Sequence, residues 1–247
     1  WRFLNRLTFF LCAGVVFSSE ELLAADPDSR SSGRKVSVIQ NAMSLQQVPA
    51  AEGAALRREL GIAAEDKVIS FVARLSVQKA QDVLLDAFAA LVAQNRKLRL
   101  LLAGDGDDFD KLKRQAARLG AADRIVFLGR RQDIAAVLSA SDIYAAPSRW
   151  EGLGIALGEA MLAGVPCVGT SIPGHLDILK DGITGIAVPP EDPSALAAGI
   201  ARLLDGPAEA AKLAAAAGEL VRTGFNVESM VKKYEKLYLN LAGEARP

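Results

Sequence analysis

The sequence has few of the residues that build metal sites and disulfide frameworks. Among its 247 residues there are two cysteines, Cys12 and Cys167, and a single histidine, His175. Two cysteines form neither a disulfide framework nor a zinc site by themselves, and one histidine leaves little room for histidine-based metal chemistry. We therefore expect no bound metal, and a reducing compartment such as the cytoplasm.

The chain also has no excess of charge of either sign. It carries 29 Lys+Arg and 29 Asp+Glu, so it presents no broad basic surface to a nucleic acid or an anionic membrane. Aromatic residues make up only 6%, but apolar residues make up 51%, too many for a disordered chain. The composition predicts a folded protein of one or two domains with no nucleic-acid partner.

The first apolar run is too short to span a bilayer. Residues 7–17 follow Arg2 and Arg6 as in a secretory signal, but these 11 residues fall short of the roughly 20 that a transmembrane helix needs. We interpret them as a short helix and then a buried strand over residues 13–17, followed by a polar loop or linker at 26–35. Because residue 1 is Trp, we expect the chain to be a piece of a longer protein.

From residue 36 onward, short apolar runs alternate with segments that repeat apolar residues at helical spacing. Runs that are apolar nearly throughout are typical of parallel strands covered on both faces. The alternation predicts an α/β fold with a Rossmann-like, doubly wound parallel sheet, whose ligands bind beyond the carboxyl ends of the strands where strand order reverses. The predicted strands are 36–39, 68–73, 98–104, 125–129, 143–147, 165–170 and 185–189, and the predicted helices are 82–95, 109–119, 134–140, 154–163, 194–204, 208–221 and 228–241.

Two cations follow the second of these predicted strands. Arg74 and Lys79 lie on the loop at its carboxyl end. Arginine can grip phosphate oxygens with its fork of donors and lysine adds a point charge, so the pair suits a diphosphate. Taken alone, the same residues also fit an ordinary solvated loop.

The segment 148–164, SRWEGLGIALGEAMLAG, is more informative. Gly152 and Gly154 let the backbone approach a ligand and open a helix whose N-terminal amides can receive an anion. Glu159 falls in the second turn of this otherwise apolar helix, where an unpaired buried carboxylate would cost several kcal/mol. We expect Glu159 to meet either a pair of ligand hydroxyls or a nearby Arg or Lys.

Three blocks in this order resemble the donor-binding half of retaining glycosyltransferase family 4, which has the GT-B fold. They are the Arg-Leu-x-x-x-Lys of residues 74–79, then LLLAGDGDDFDKLKRQAARLGAADRIVFLG, then PSRWEGLGIALGEAMLAGVPCV. The resemblance covers about residues 13–241, and the pair Glu151 and Glu159 is its most specific element. It implies a remnant of the N-terminal acceptor domain and the interdomain crossing at 1–45, and a nucleotide-sugar donor-binding domain at 46–247.

The resemblance also implies a role for each matching position. Arg74 and Lys79 would hold the donor diphosphate, and Glu159 the ribose hydroxyls. Glu151 would be the catalytic residue and lie against the transferred sugar. The main chain at the helix start would meet a phosphate, and the residue after FLG would pack against the base. The implied substrate-binding residues are Arg74, Lys79, Arg130 (with Arg131 as an equal alternative), Gly152, Leu153, Gly154, Ile155 and Glu159.

The implied reaction transfers a sugar from a nucleotide diphosphate sugar to an acceptor hydroxyl with retention of anomeric configuration. No metal or other cofactor is implied, because the two cations and the helix N-terminus can neutralise the departing diphosphate. The acceptor would be a glycan, a lipid-linked sugar or a small molecule, and the missing domain could place the protein at the inner face of the membrane.

Two alternative functions of the chain stay open, and a third function, glycoside hydrolysis, is excluded. The chain could bind a nucleotide sugar without turnover in this truncated form, or it could resemble a GT-B sugar epimerase. A hydrolase would use two glutamates as acid and nucleophile, but the resemblance assigns Glu159 to the ribose and leaves only Glu151 at the sugar.

The sequence departs from the family pattern at several loop positions. Ala73 and Ala80 replace common glycines, and residues 173–177, PGHLD, replace Gly-Gly-x-Pro-Glu. Alanine restricts the backbone where φ is unusual, which puts the loop geometry and the sugar specificity in doubt. His175 could touch the donor, although a lone histidine in a turn is more often structural or solvated. The segment 13–19 is expected to be an edge strand with no sheet to join.

Overall fold

A computed structural model describes residues 11–26, 36–44, 50–94 and 96–244. Six of its strands form one sheet, and the first two form a separate pair. The strands are β1 Val15–Phe17, β2 Val36–Val38, β3 Lys67–Val72, β4 Leu98–Ala103, β5 Ile125–Gly129, β6 Ile143–Ala146, β7 Cys167–Thr170 and β8 Ile186–Val188. The helices are α1 Glu20–Ala25, α2 Ala50–Glu59, α3 Gln81–Ala93, α4 Phe109–Arg118, α5 Ile134–Ser139, α6 Ile155–Leu162, α7 Pro193–Asp205, α8 Pro207–Gly224 and α9 Val227–Glu244.

The strand order in the main sheet is β5-β4-β3-β6-β7-β8, and all neighbours are parallel. The chain moves outward from β3 to β5, returns to the middle at β6, and then moves outward on the other side. The order therefore reverses between β3 and β6, where a doubly wound sheet leaves a crevice at the carboxyl ends of its strands. The predicted fold class is confirmed.

Apolar side chains cover both faces of this sheet. In β4, Leu100 and Leu102 belong to the main hydrophobic core, whereas Leu101 and Ala103 belong to two smaller clusters. Because successive side chains of a strand point to opposite faces, these clusters lie on opposite sides of the sheet. Burial on both sides explains why the strands read as continuous apolar runs.

The sequence patterns locate the strands and most helices within a few residues, but they miss α1 and α2. Helix α1 has six residues and begins after Ser19, whose Oγ caps it by accepting the Leu22 N–H at 3.1 Å. Helix α2 buries only Gly53 and Leu56. A six-residue helix and a helix with so narrow a buried stripe both give little periodic signal.

The first strand does not lack a partner, contrary to the expectation for residues 13–19. It pairs in parallel with β2, with Val15 opposite Val36 and Phe17 opposite Val38. These bonds satisfy backbone groups that an isolated strand would leave open. Of the other expectations for this region, the apolar residues 7–10, the loop 27–35 and the end of the crossing, 45–48, lie outside the described residues.

The alanines that replace family glycines differ in conformation. Ala80 is left-handed, with φ 52° and ψ 38°, at the junction between a short 3-10 turn, Val77–Lys79, and α3. Ala73 has no positive φ. The expected backbone restriction therefore applies at Ala80 and not at Ala73.

We expect Ala80→Gly to lower the free energy of unfolding less than Ala73→Gly does. Both changes lose about 0.5–1 kcal/mol through backbone entropy, and Ala80→Gly also loses a buried methyl worth about 0.8 kcal/mol. Only at Ala80 does glycine relieve a left-handed conformation, which costs other residues about 1–2 kcal/mol. Urea denaturation measures both values, and a larger loss in Ala80→Gly than in Ala73→Gly would show that Ala80 is unstrained.

Candidate functional site

The loops that leave β3 and β6 meet at the crevice. The first loop carries the predicted cations, and the second begins the segment with the two glutamates. The Arg149 N–H donates to the Gln78 carbonyl at 2.8 Å, and Gln78 Nε2 donates to the Trp150 carbonyl at 2.9 Å. Two segments that are far apart in the sequence therefore form one site.

Lys79 and Glu151 form an ion pair between these loops. Their side chains are only 21% and 11% exposed, so water screens the pair weakly. Ser148 Oγ donates to the same carboxylate oxygen, Glu151 Oε1, at 2.8 Å. Because an ammonium has three N–H donors, Lys79 can keep this partner and still donate to an anion in the crevice.

Arg74 is exposed, and within the described residues its side chain makes no hydrogen bond or ion pair. Its main chain is fixed, because the Arg74 carbonyl accepts a hydrogen bond from Gln81 Nε2 at 2.9 Å. A guanidinium on a fixed backbone and with unused donors is suited to a phosphate.

The helix that carries Glu159 begins at a left-handed glycine. Gly154, at the N-cap of α6, has φ 66° and ψ 49°. The amides of the first turn have no acceptor within the helix and carry the positive end of its dipole. Gly152 and Ile155 are exposed, whereas Leu153 is 3% exposed. The Leu153 side chain belongs to the core, so only its main chain could meet a ligand.

Glu159 is half-buried in α6, and no hydrogen bond or ion pair reaches its carboxylate from the described part of the chain. Burial raises its pKa, because the charged form loses contact with water. The Arg or Lys partner left open by the sequence is absent among these residues. Ligand hydroxyls are the remaining expected partner.

The structure distinguishes the two arginines after β5. Arg131 donates to both carboxylate oxygens of Asp133, at 2.8 and 2.5 Å. Arg130 is exposed, and its side chain has no such bond within the residues described. Arg130 is therefore the one with an available side chain.

His175 is buried, at 1% exposure, rather than solvated. Its Nδ1 lies 3.1 Å from the Thr170 carbonyl, which accepts a hydrogen bond when Nδ1 carries the proton. The pKa of His175 is lowered to about 4, mainly by burial and to a small extent by the nearby Lys79, although Glu151 and the Thr170 carbonyl oppose the shift. The ring is neutral at physiological pH and packs beneath Gly154, so a structural role fits it best.

Sequence reasoning missed Arg149, which has more polar partners than any of the predicted cations. Its guanidinium contacts Asp82, Glu191 and the Val77 carbonyl. The only signal was its position two residues before Glu151, which does not reveal partners on other elements.

The fold and the site define a class of protein. It is a doubly wound α/β domain whose switch point presents two cations and a helix N-terminus, an arrangement that binds the phosphates of nucleotides. Residues 54–238 match the family described as Glycosyl transferases group 1. The match covers most of the chain, and the chain belongs to this family.

Two relatives are about one-third identical to the chain over the residues that align with it. N-acetyl-alpha-D-glucosaminyl L-malate synthase of Bacillus anthracis is 32% identical over 187 residues, which are 75% of this chain and 49% of that protein. D-inositol 3-phosphate glycosyltransferase of Thermobispora bispora is 32% identical over 221 residues, 84% of this chain and 50% of that protein. The chain spans about half the length of these relatives.

Solved structures agree with the fold. HepE of Anabaena in complex with UDP-glucose superposes with a TM-score of 0.88 at 26% identity, covering 97% of this chain and 67% of that one. Sucrose-phosphate synthase from Thermosynechococcus elongatus gives a TM-score of 0.85 at 25% identity, covering 98% and 62%. Both support the parallel α/β fold of GT-B glycosyltransferases.

Two features are absent from the residues that the structure describes. No helix there combines the length and the apolar character needed to cross a membrane. In the same part of the chain, no three His, Cys, Asp or Glu side chains are grouped so that they could hold a metal ion.

Proposed function

We propose that this chain binds a nucleotide diphosphate sugar in the crevice and, as part of a longer protein, transfers the sugar to an acceptor hydroxyl with retention of anomeric configuration. This corresponds to retaining glycosyltransferase family 4. The observation that carries the proposal is the meeting of Arg74, Lys79 and the α6 N-terminus at one switch point. The family match and the UDP-glucose complex of HepE support the same donor class.

The diphosphate is the part of the donor that this site explains best. Arg74 and Lys79 would donate to its oxygens, and the amides of Gly154 and Ile155 would donate from the opposite loop. The two amides and the Lys79 ammonium are held in place before the reaction, so they would stabilise the charge that develops on the departing diphosphate. The proposal therefore requires no metal ion.

The nucleoside and the sugar would lie on either side of the diphosphate. Glu159 would accept hydrogen bonds from the two ribose hydroxyls, and the exposed Arg130 would lie against the base. Glu151, oriented by Ser148 and Lys79, would orient the sugar hydroxyls and stabilise positive charge that develops on the ring. Carboxylates are suited to that charge because they are ionised at neutral pH.

Binding without turnover by this chain alone is the second candidate. The length of the chain favours this second candidate, because the chain spans only 49% of one relative and 50% of another. The acceptor, which we propose to be a glycan, a lipid-linked sugar or a small molecule, would then bind largely outside this chain. A cytoplasmic site of action, including the inner face of the membrane, belongs to the same proposal.

Calorimetric titration of UDP, UDP-sugars and other nucleotide sugars into this chain tests the donor site. We expect micromolar to millimolar binding, and Arg74→Ala should weaken it at least tenfold, because a charge-assisted hydrogen bond is worth about 1.5–3 kcal/mol. Arg118→Ala removes an exposed arginine from the end of α4 and should leave binding unchanged. Equal affinity of wild type and Arg74→Ala would contradict the diphosphate assignment.

Transfer is tested separately with the longer protein. Donor and a panel of glycoside acceptors are incubated with and without EDTA, and NMR determines the anomeric configuration of the product. Retention and indifference to EDTA are the expected results. An inverted product, or activity lost with EDTA and restored by a divalent metal, would contradict the mechanism.

A further inference from the structure

Arg149 lies at the junction of three segments beside the crevice. Its side chain is 18% exposed. It donates to both Asp82 oxygens at 3.1 Å each, to the Val77 carbonyl at 2.6 Å and to Glu191 Oε2 at 3.0 Å. These partners belong to the start of α3, to the Val77–Lys79 turn and to the turn before α7.

The guanidinium makes four side-chain hydrogen bonds through Nη1 and Nη2, and its Nε lies in an ion pair with Glu191. Nη1 serves Val77 and one Asp82 oxygen, Nη2 serves the other Asp82 oxygen and Glu191, and Nε pairs with the second Glu191 oxygen. Arginine has five donors in a fixed fork. Two carboxylates also more than offset its single positive charge. Arg149 therefore has no free donor for a phosphate, although it lies between the two loops of the site.

The backbone bonds around Arg149 join the same two loops. Its own N–H donates to the Gln78 carbonyl, and Gln78 Nε2 donates back to the Trp150 carbonyl. Lys79 directly follows Gln78, and Glu151 directly follows Trp150. The hydrogen bonds made by Arg149 and Gln78 thus hold the two loops together next to the ion pair between Lys79 and Glu151.

We propose that Arg149 is a positioning residue, which holds the Val77–Lys79 turn against the 148–151 loop so that the Lys79 ammonium faces the donor diphosphate. This inference rests on the proposed function. Arg149 acts through Lys79 and does not touch the ligand. An Arg-to-Lys change at Arg149 cannot replace the fork, because an ammonium has three donors at one point.

A double-mutant cycle with UDP as the ligand tests this role. At constant ionic strength, Arg149→Ala and Arg149→Lys should each weaken UDP binding roughly tenfold, as expected for a misplaced charge-assisted bond. In a Lys79→Ala background, Arg149→Ala should change affinity less than about twofold, because a residue that acts through Lys79 has nothing left to position. Arg96→Ala, which removes a similar two-oxygen contact with Asp205 away from the crevice, is the matched control.

The outcomes separate the two proposals. Losses that add in the double variant, or unchanged affinity in both Arg149 variants, would overturn the positioning role while the donor site stands. Failure of wild type to bind any nucleotide sugar would overturn the proposed function, and this inference with it. Amide hydrogen exchange should also quicken at residues 77–80 in Arg149→Ala and stay unchanged in Arg96→Ala. If residues 77–80 exchange at the wild-type rate in Arg149→Ala, Arg149 does not hold this turn against the 148–151 loop, and the positioning role is wrong.

Discussion

Glu159→Gln should make the unliganded protein more stable and its binding of UDP weaker. The carboxylate is half-buried without a protein partner among the described residues, and burial raises its pKa above the ordinary value of 4.5. An amide of the same shape has no charge to desolvate, so the folded state gains. The same change removes a charged acceptor from the ribose hydroxyls, which should lower UDP affinity about 10- to 100-fold.

The stability gain should depend on pH in a defined direction. A carboxyl whose pKa is higher in the folded than in the unfolded chain favours folding when protonated, and this advantage is lost as the pH rises through the raised pKa. Glu159→Gln should therefore exceed wild type in melting temperature at pH 7 and match it below about pH 4. The exposed Glu52→Gln is the control and should show no difference. A less stable Glu159→Gln at pH 7 would reveal a protein partner for Glu159.

Local sequence signals predicted the strands, loops and helix start that carry the residues of the candidate site. Strands buried on both faces leave continuous apolar runs, so β3 and β6 could be located and their carboxyl ends assigned to the ligand side. The cations Arg74 and Lys79 follow one strand directly, and Gly154 directly precedes the helix that carries Glu159. Each of these positions is fixed by neighbours within a few residues, which one sequence can reveal.

Contacts between distant segments could not be predicted in the same way. Lys79 and Glu151 are 72 positions apart, as are Arg149 and Val77. Which cation pairs with which carboxylate depends on how the two loops face each other across the sheet. One sequence does not reveal that arrangement. The choice between Arg130 and Arg131 was open although it is a local one, because Asp133 is close to both arginines in the sequence and only the structure shows that it pairs with Arg131.

Gly154→Ala should destabilise the protein by about 2–5 kcal/mol and weaken UDP binding at least tenfold. A non-glycine residue at this positive φ costs about 1–2 kcal/mol, and overpacking typically adds about 1–3 kcal/mol. The overpacking arises because the new Cβ would lie 2.8 Å from His175 Cδ2. Relief of that collision must move either the ring or the start of α6, and the second movement withdraws the amides proposed to meet the phosphate.

Gly164, just past the other end of α6, is the matched control for this prediction. It has φ 75°, and a Cβ there would meet no atom within 4 Å. Gly164→Ala should therefore cost only the backbone strain of about 1–2 kcal/mol and leave UDP affinity unchanged. Because the extra cost at Gly154 comes from His175, the double variant Gly154→Ala/His175→Ala should be more stable than the sum of the single changes implies, by about 1 kcal/mol or more. Strict additivity in urea denaturation would place the cost in the backbone alone.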